Sequence, residues 1–504
     1  MLSVVHEASA PDIPSPFNLA AYVLAQAAGL SEKTALEIHG PDRVETWSYG
    51  RLSAAVRGTA TGLGHLGLVP GDRVLMRLGN TVDFPIAYLG ALAAGLVPVP
   101  TSSALTAGEV ARIIEIIRPA AVLRDPDVAC PKETPVIMPD ELHRWRELPP
   151  AEWHMGDPER PGYIIFTSGT SGVPRAVLHA HRAILGRAMM FRGWYGLCPG
   201  DRLMHAGAFN WTYTLGTGLM DPWTCGATAV IPAAGTGSEA LPGVLRRSGA
   251  TIFAAAPGVY RQMLRAAGPW DLPELRHGLS AGEKLPQSVA ETWRAVTGTA
   301  VYEAYGMSEC STFVSGCPAT PARTGTLGRA QPGRHIALIG QDGPVPRGSE
   351  GTIAVHRDDP GLMLGYLDAP RATADRMQGE WFLTGDQAVM DDDGQITYLG
   401  RNDDMMNAGG FRVSPVEVEN TLAHVPGITA VAVTDVALRP DTRVIAAFYT
   451  GPAPLDDAML RDYVGEKLAR YKQPRLFIHM PALPLGANGK ILRRALRDQF
   501  KAPA

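Results

Sequence analysis

The spacing of apolar positions predicts alternating strands and helices in the N-terminal part of the chain. Apolar and β-branched runs predict strands at residues 74–78 and 120–123, and residues 106–117 have apolar side chains at helical spacing. Thr106 and Glu109 have the spacing of a capping box where this helix begins, and Pro119 follows its end. Strand, helix and strand in this order predict an α/β fold with largely parallel sheets.

Prolines mark the limits of further predicted elements. The most apolar stretch, residues 86–96, lies between Pro85 and Pro98 and is too short to span a bilayer, so it predicts a buried helix. Pro222, Pro257 and Pro286 divide the middle of the chain, and short elements are expected there.

A domain boundary is predicted near Gly400, where a polar stretch follows a strand. The predicted domains are residues 1–400, with mostly parallel sheets, and residues 401–504, a small α+β domain. The elements that predict the boundary and the second domain are a polar turn at 391–394, a strand at 395–399, helices at 415–424 and 458–468, and strands at 431–433 and 444–448.

Composition narrows the class of protein. A chain of 504 residues is too long for one compact core. The formal net charge of −4, without a block of like charges, gives no reason to expect binding to nucleic acid or to an anionic membrane. The five cysteines are scattered, so neither a disulfide framework nor a zinc site is indicated. No basic region followed by an apolar run begins the chain, and a cytoplasmic location is expected.

A loop of small and hydroxylated residues is the most informative segment. An apolar strand at 163–166 leads into it, and Arg175 follows it before a further predicted strand. Glycine lets backbone N–H groups converge on an anion, hydroxyls add donors and the arginine adds charge, so the loop is suited to a polyphosphate. It is not a Walker A loop, because no Gly-Lys-Ser/Thr closes it. The alternative, a flexible linker, is disfavoured by the apolar segments on both sides. The loop residues are Thr167, Ser168, Gly169, Thr170, Ser171 and Gly172.

Five segments in a fixed order resemble the superfamily of acyl-CoA synthetases, adenylation domains and firefly luciferase. Each segment alone is a weak signal, but together they are specific and cover the second two-thirds of the chain. They are the loop at 167–172, Tyr-Gly-Met-Ser-Glu at 305–309, Thr-Gly-Asp at 384–386, the segment 400–404 completed by 409–419, and Asn-Gly-Lys at 488–490. The resemblance is greatest to benzoate and medium-chain acyl-CoA ligases. It implies a large N-terminal domain of several subdomains and a small mobile C-terminal domain.

The resemblance implies ATP, Mg²⁺ and coenzyme A as cofactors and assigns nucleotide contacts. A carboxylate must attack the α-phosphate of ATP, so the protein must offset the repulsion between two anions and align them. The loop and Arg175 are then expected at the phosphates, Glu309 and Thr170 at Mg²⁺, and Asp386 with Arg401 at the ribose. The residues expected around the adenine are Ala281, Gly282, Glu283, Glu303, Ala304 and Tyr305. Arg175 stands where relatives usually carry Lys, and these cations are not equivalent.

Residues of the C-terminal part are expected to act in sequence. By resemblance, Lys490 bridges the substrate carboxylate and the α-phosphate, and Asp403 matches a hinge position. Gly409 and Gly410 are then expected to line the path of the attacking thiol, where a side chain would obstruct it. Without the motifs, an isolated Lys or Asp is more often a solvated charge or a turn residue.

The acyl pocket is expected between two segments. The first holds Phe209, Asn210, Trp211 and Tyr213, and Phe209 matches a gating position that a shift of two would give to Trp211. Asn210 stands where relatives that activate amino acids have Asp, which disfavours an amino acid. The second segment holds Gly306 and Met307. Relatives specific for acetate carry Trp at Gly306, so this end is expected to be open and the acid larger than acetate, either aromatic or of short to medium chain length.

Other functions stay open at this point. The activated acid could be loaded onto a separate carrier protein, because only fourteen residues follow Lys490. A non-catalytic binder of nucleotide or acyl-AMP would keep the fold without Glu309, Asp386 and Lys490, all of which are present. Luciferase-like oxidation is a remote alternative. The expected partners are a small carboxylic acid and coenzyme A, and a homodimer is one assembly that the sequence does not decide.

Overall fold

The structure is a computed structural model that describes residues 1–6, 12–131, 136–167, 175–266, 268–402, 404–408, 411–439, 442–485 and 491–500. Several predicted site residues lie outside the described residues: Ser168, Gly169, Thr170, Ser171, Gly172, Asp403, Gly409, Gly410 and Lys490. The chain divides into two compact units. The larger unit comprises Val5–Ile336 and Val355–Phe382, and the smaller unit comprises Met1–Val4, Ala337–Ala354 and Leu383–Ala504. The predicted boundary between residues 400 and 401 stays a prediction.

The strands of the described residues are, in chain order, β1 Val4–His6, β2 Thr34–His39, β3 Val44–Ser48, β4 Arg73–Arg77, β5 Val97–Pro100, β6 Ala121–Arg124, β7 Pro161–Thr167, β8 Arg175–Ala180, β9 Arg202–Ala206, β10 Thr228–Pro232, β11 Ile252–Ala255, β12 His277–Ala281, β13 Ala300–Met307, β14 Ser311–Ser315, β15 Arg329–Ala330, β16 His335–Gly340, β17 Gly343–Pro344, β18 Glu350–His356, β19 Gly365–Tyr366, β20 Met377–Gln378, β21 Trp381–Met390, β22 Ile396–Arg401, β23 Met406–Ala408, β24 Phe411–Val413, β25 Ala430–Arg439, β26 Thr442–Thr450 and β27 Leu476–His479.

The α-helices of the described residues are α1 Leu19–Val23, α2 Tyr49–His65, α3 Asp83–Ala93, α4 Ala107–Ile117, α5 Pro139–Trp145, α6 Ala183–Ala188, α7 Asp221–Cys225, α8 Leu241–Ser248, α9 Pro257–Met263, α10 Gln287–Thr297, α11 Pro370–Ala374, α12 Pro415–Leu422, α13 Asp457–Lys467 and α14 Arg493–Gln499. Two π-helical segments, Phe191–Tyr195 and Thr214–Met220, and short 3₁₀ turns complete the helical structure.

A nine-stranded sheet dominates the larger unit. Its strand order is β15-β14-β13-β12-β11-β9-β10-β2-β3. The six strands from β13 to β2 in this order run parallel, and β14, β15 and β3 are antiparallel to their neighbours. Parallel strands bring their carboxyl ends to one edge, which is where ligands bind in open α/β sheets. The predicted adenine and acyl-wall segments lie at this edge, at the carboxyl ends of β12 and β13 and in the residues that follow β9.

The sheet formed by β4, β5 and β6 confirms the first prediction from the sequence. The strands pair in parallel, and α4 connects the second to the third along the chain. Thr106 and Glu109 form the predicted capping box, in which each side chain accepts from the backbone of the other residue. The predicted buried helix is α3, and all eleven of its residues are buried.

A hairpin flanks the phosphate-loop segment. β7 and β8 pair antiparallel, and Thr167 and Arg175 are the partners at the end of the ladder. The strands predicted before and after the loop are therefore confirmed. β19 adds to this sheet through pairing with β8.

The prediction of short elements around three prolines is partly wrong. Pro222 and Pro257 lie in the first turn of α7 and α9, and Pro286 is the N-cap of the eleven-residue helix α10. Proline is tolerated where a helix begins, because the first N–H groups have no intrahelical partner. Pro257 and Pro286 therefore stand where helices begin, whereas Pro222 lies where the π-helical segment Thr214–Met220 continues directly into α7.

The smaller unit has a core of its own. β25, β26 and β27 form one sheet, and helices α12, α13 and α14 cover it with buried aliphatic side chains. The predicted elements of this region are confirmed, although β25 and β26 are longer than predicted. β22 reaches Arg401 instead of ending at residue 399, because Gly400 and Arg401 continue the antiparallel pairing with β21.

Candidate active site

Two segments predicted to frame the adenine lie side by side at the carboxyl edge of the nine-stranded sheet. In the register of β12 and β13, Ser280 is opposite Glu303 and Ala281 is opposite Ala304. The adjacency follows from parallel pairing, which places the ends of consecutive strands together. The two segments therefore form one surface, as the resemblance requires.

Gly282 and Trp211 bring the adenine surface into contact with the predicted acyl wall. Gly282 has φ of +94°, and a Cβ there would lie 2.8 Å from Cζ2 of Trp211. Only glycine suits both this backbone conformation and this close approach. Trp211 meets Tyr213 edge to face with ring centroids 5.2 Å apart, and the Tyr213 hydroxyl donates to the Leu279 carbonyl at 3.1 Å.

Glu303 is a half-buried carboxyl on this surface. The Leu285 N–H donates to its Oε1 at 3.0 Å. Burial raises the pKa of the Glu303 carboxyl to about 7, and the Leu285 hydrogen bond and nearby Lys284 offset only part of the effect. Glu303 therefore changes its charge near neutral pH.

Glu309, the predicted Mg²⁺ ligand, is positioned by a residue that the sequence did not reveal. The Glu309 side chain is buried, with 7% exposed, and its Oε1 accepts from the Tyr366 hydroxyl at 2.8 Å. The guanidinium of Arg175 lies 5.2 Å from the centroid of the Tyr366 ring, which is a cation–π distance. Tyr366 thus connects two predicted site residues, Glu309 and Arg175. A tyrosine after Gly365 has no local pattern that would single it out.

Only part of the first acyl segment lies at the carboxyl edge of the nine-stranded sheet. Phe209 is fully buried, packs 6.1 Å from Phe84 between ring centroids, and donates its backbone N–H to Asn80 Oδ1 at 2.8 Å. Asn210 is half-buried. Trp211, not Phe209, contacts the adenine surface at Gly282. The gating role stays a prediction for either aromatic residue.

The prediction of open space beside Gly306 is wrong. A Cβ at Gly306 would lie 2.1 Å from the Ser311 carbonyl oxygen and 2.4 Å from the Thr312 Cα. The cause is the irregular pairing of β13 with β14 between Tyr305 and Gly306, which brings the backbone of β14 close. Glycine is required here by the neighbouring strand.

Asp386 and Arg401, predicted at the ribose, are neighbours in the smaller unit. They are opposite each other in the antiparallel pair β21 and β22. The Asp386 carboxylate is buried, and its Oδ1 accepts from the Tyr398 hydroxyl at 3.5 Å. Burial and the nearby Asp386 carboxylate raise the pKa of Tyr398, so this hydroxyl stays protonated and can donate. The two predicted residues are thus close enough to act on one ligand.

The Glu309 carboxylate fits the way in which proteins bind Mg²⁺. The described residues contain no group of three or more His, Cys, Asp or Glu side chains that could hold a metal ion. Mg²⁺ does not need such a group, because it binds through one or two carboxylates together with substrate phosphates and water. The buried Glu309 carboxylate meets that requirement.

Comparison with known proteins agrees with this geometry. The sequence model of the AMP-binding enzymes matches residues 23–367, and that of the AMP-binding enzyme C-terminal domain matches residues 417–490. Benzoate–CoA ligase of Thauera aromatica is 30% identical over 99% of this chain and 99% of its own. Acyl-coenzyme A synthetase ACSM5, mitochondrial, of Mus musculus is 30% identical over 92% of this chain and 86% of its own. ATP-bound MatB from Rhodopseudomonas palustris is 25% identical and superimposes with a TM-score of 0.87, covering 95% of this chain and 98% of that one.

The chain therefore belongs to the AMP-binding enzyme family. It is an AMP-forming acid–thiol ligase with the predicted α/β fold, and the expected ATP, Mg²⁺ and coenzyme A are those of its family. Among the described residues, no helix is long and apolar enough to cross a membrane. The roles of the individual site residues remain predictions.

Proposed function

We propose that the chain activates an aromatic carboxylic acid and transfers it to coenzyme A. ATP and the acid give an acyl-adenylate and pyrophosphate, and the thiol then displaces AMP. The observation that carries the aromatic assignment is the edge-to-face pair of Trp211 and Tyr213, 5.2 Å apart, beside Gly282. Flat aromatic faces favour a planar apolar substrate. The likeness to benzoate–CoA ligase supports the same class of acid.

The roles of the site residues form part of this proposal. Trp211 orients the acid beside the adenine surface of Ala281, Gly282 and Ala304, which holds the two reactants in line. Glu309, fixed by Tyr366, is the residue that would hold Mg²⁺, which supplies positive charge against the phosphate oxygens. Arg175 adds a second positive charge beside Tyr366.

The proposed hydrogen-bonding partners of the ribose are Asp386 and Arg401. A buried carboxylate that accepts from Tyr398 is held in one orientation, as recognition of two hydroxyls requires. The domain boundary between residues 400 and 401, supported by the polar stretch that follows a strand there, and the cytoplasmic location are also part of this proposal.

The test is ATP-dependent pyrophosphate release over a panel of benzoates, phenylacrylates and straight-chain fatty acids, with and without coenzyme A. We expect turnover with a benzoate or phenylacrylate that depends on coenzyme A and yields the thioester. Turnover only with fatty acids would contradict the aromatic assignment. Pyrophosphate release without a thioester would point to a carrier protein as acceptor. No release with any acid would indicate a non-catalytic binder.

A further inference from the structure

A buried ion pair lies next to the first acyl segment. Arg187 Nε and Nη2 donate to the two carboxylate oxygens of Asp221 at 3.0 and 2.6 Å. The two side chains are 9% and 1% exposed. The Tyr195 hydroxyl donates to Asp221 at 2.8 Å, and Thr217 accepts from Arg187 at 3.2 Å. The desolvation of two such charges is costly, so the pair is not explained by a gain in stability.

Arg187 connects the two segments predicted to line the acyl pocket. Its Nη1 donates to Ser311 Oγ at 2.7 Å, and Ser311 is the partner of Met307 in the pairing of β13 with β14. Ser311 has φ of +65°. A left-handed backbone at a residue other than glycine is strained, and such strain is concentrated at functional sites. The strain therefore accompanies a contact between Arg187 and the second acyl segment.

A small cavity opens beside the Arg187 guanidinium. Its polar lining comes from Tyr88, Tyr163, Arg187 and Thr212, and the rest of the lining is aliphatic. Its volume is about 20 Å³. That is room for one water molecule or one hydroxyl group. Thr212 lies between Trp211 and Tyr213, so the cavity adjoins the predicted acyl wall.

Some hydrogen-bonding groups of the cavity lining have no partner among the described residues. A guanidinium carries five N–H donors. Among the described residues, Nε and Nη2 donate to Asp221, Thr217 and Tyr195 and one N–H of Nη1 donates to Ser311, so the second N–H of Nη1 has no partner there. Within the part of the chain that the structure describes, the hydroxyls of Tyr88 and Tyr163 form no hydrogen bond, and their rings lie 6.2 Å apart. Buried polar groups are normally paired, so a polar occupant is expected.

We propose that this cavity receives a hydroxyl group at the far end of the acid, so that the enzyme prefers a hydroxylated aromatic acid. The inference rests on the proposed function. The spare Arg187 N–H requires an acceptor, and the tyrosine hydroxyls can donate or accept. Asp221 already neutralises Arg187, so a second carboxylate on the substrate would be buried without a counter-charge. A neutral hydroxyl meets all three conditions.

The first measurement compares kcat/KM for the 2-, 3- and 4-hydroxybenzoates with that for the methylbenzoate of the same substitution. Methyl and hydroxyl groups have similar size, so the ratio reports hydrogen bonding. We expect one hydroxylated isomer to exceed its methyl partner by about tenfold, the value of one hydrogen bond near the upper end of its usual range. Equal values for all three pairs would overturn the inference.

Two conservative variants then test the lining residues. Tyr88→Phe and Tyr163→Phe keep the rings and remove the hydroxyls. We expect each to lower the hydroxyl-to-methyl ratio about three- to tenfold, through a higher KM for the hydroxylated acid. Tyr463→Phe, in α13 of the smaller unit, is the matched control and should leave the ratio unchanged.

The outcomes separate this inference from the proposed function. If Tyr88→Phe and Tyr163→Phe lower kcat/KM for hydroxylated and methylated acids alike, the hydroxyl groups do not recognise the substituent and the inference is wrong. If acids are activated without any hydroxyl preference, the inference fails and the proposed function stands. If no acid supports pyrophosphate release, both fail.

Discussion

The Glu309 carboxylate is held in place by Tyr366, a residue that lies far from it in the sequence. The Tyr366 hydroxyl reaches Glu309 Oε1 at 2.8 Å, and Tyr366 is carried by β19, which pairs with β8 directly after the phosphate loop. A residue that orients a metal ligand tunes affinity as well as geometry. The position of this carboxylate therefore depends on pairing between distant strands.

Tyr366→Phe should weaken Mg²⁺ dependence without removing the carboxylate. The ring, and with it the Arg175 contact, is kept, but Glu309 loses its hydrogen bond. We expect the Mg²⁺ concentration for half-maximal pyrophosphate release to rise about tenfold or more. Tyr22→Phe is the control, since it removes the hydroxyl of a partly buried tyrosine that lies in α1. An unchanged Mg²⁺ dependence in Tyr366→Phe would contradict the positioning role.

Glu303 should make the stability of the fold depend on pH. Its pKa is about 7 in the folded chain and ~4.3 in an unfolded chain. Between these values the folded state keeps a proton that the unfolded state has lost, so stability falls as the pH rises from about 4.5 to 7. We expect Glu303→Gln to reduce the decrease in urea midpoint between pH 5 and pH 8.

The control for this measurement is Glu115→Gln, which changes an exposed carboxylate in α4. It should retain the wild-type dependence on pH. If Glu303→Gln and Glu115→Gln behave alike, the burial of Glu303 does not contribute to the pH dependence, and the high pKa is not supported.

At the scale of elements, local sequence patterns predicted single helices correctly but did not predict contacts between neighbouring strands of a sheet. The capping box of Thr106 and Glu109 and the buried helix α3 follow from spacing and apolar content, which are properties of one segment. The crowding at Gly306 depends on β14, whose pairing with β13 is irregular at that residue. Pro257, in the first turn of α9, shows that a residue which breaks helices can also stand where a helix begins.

The residues of the candidate site could likewise be predicted only in part from the sequence. Glu303, Glu309 and Asp386 were identified because ordered motifs point to one chemistry. Their partners Tyr366 and Tyr398 were not, because a hydrogen bond between distant residues leaves no periodic trace in the sequence. The sequence did not reveal the Arg187–Asp221 pair for a similar reason. The two residues are 34 positions apart and lie in segments without a motif.

At the scale of the whole molecule, each of the two units carries part of the predicted chemistry. Glu303, Glu309 and Arg175 belong to the larger unit, and Asp386 and Arg401 belong to the smaller unit, as does Lys490. Each unit has buried hydrophobic clusters of its own. The two half-reactions are therefore expected to respond separately to substitutions in the smaller unit.

Substitutions at Lys490 and Gly410 should separate adenylation from thioester formation. The resemblance places Lys490 at the carboxylate and the α-phosphate, so Lys490→Ala should nearly abolish pyrophosphate release yet spare thioester formation from supplied acyl-adenylate. Gly410→Leu should show the reverse, because a side chain would obstruct the thiol. Single-turnover assays of both half-reactions measure this, with Lys467→Ala as the control that leaves both unchanged. Equal loss of both half-reactions in Lys490→Ala would refute its assigned role, and full coenzyme A ligation by Gly410→Leu would show that the thiol takes another path.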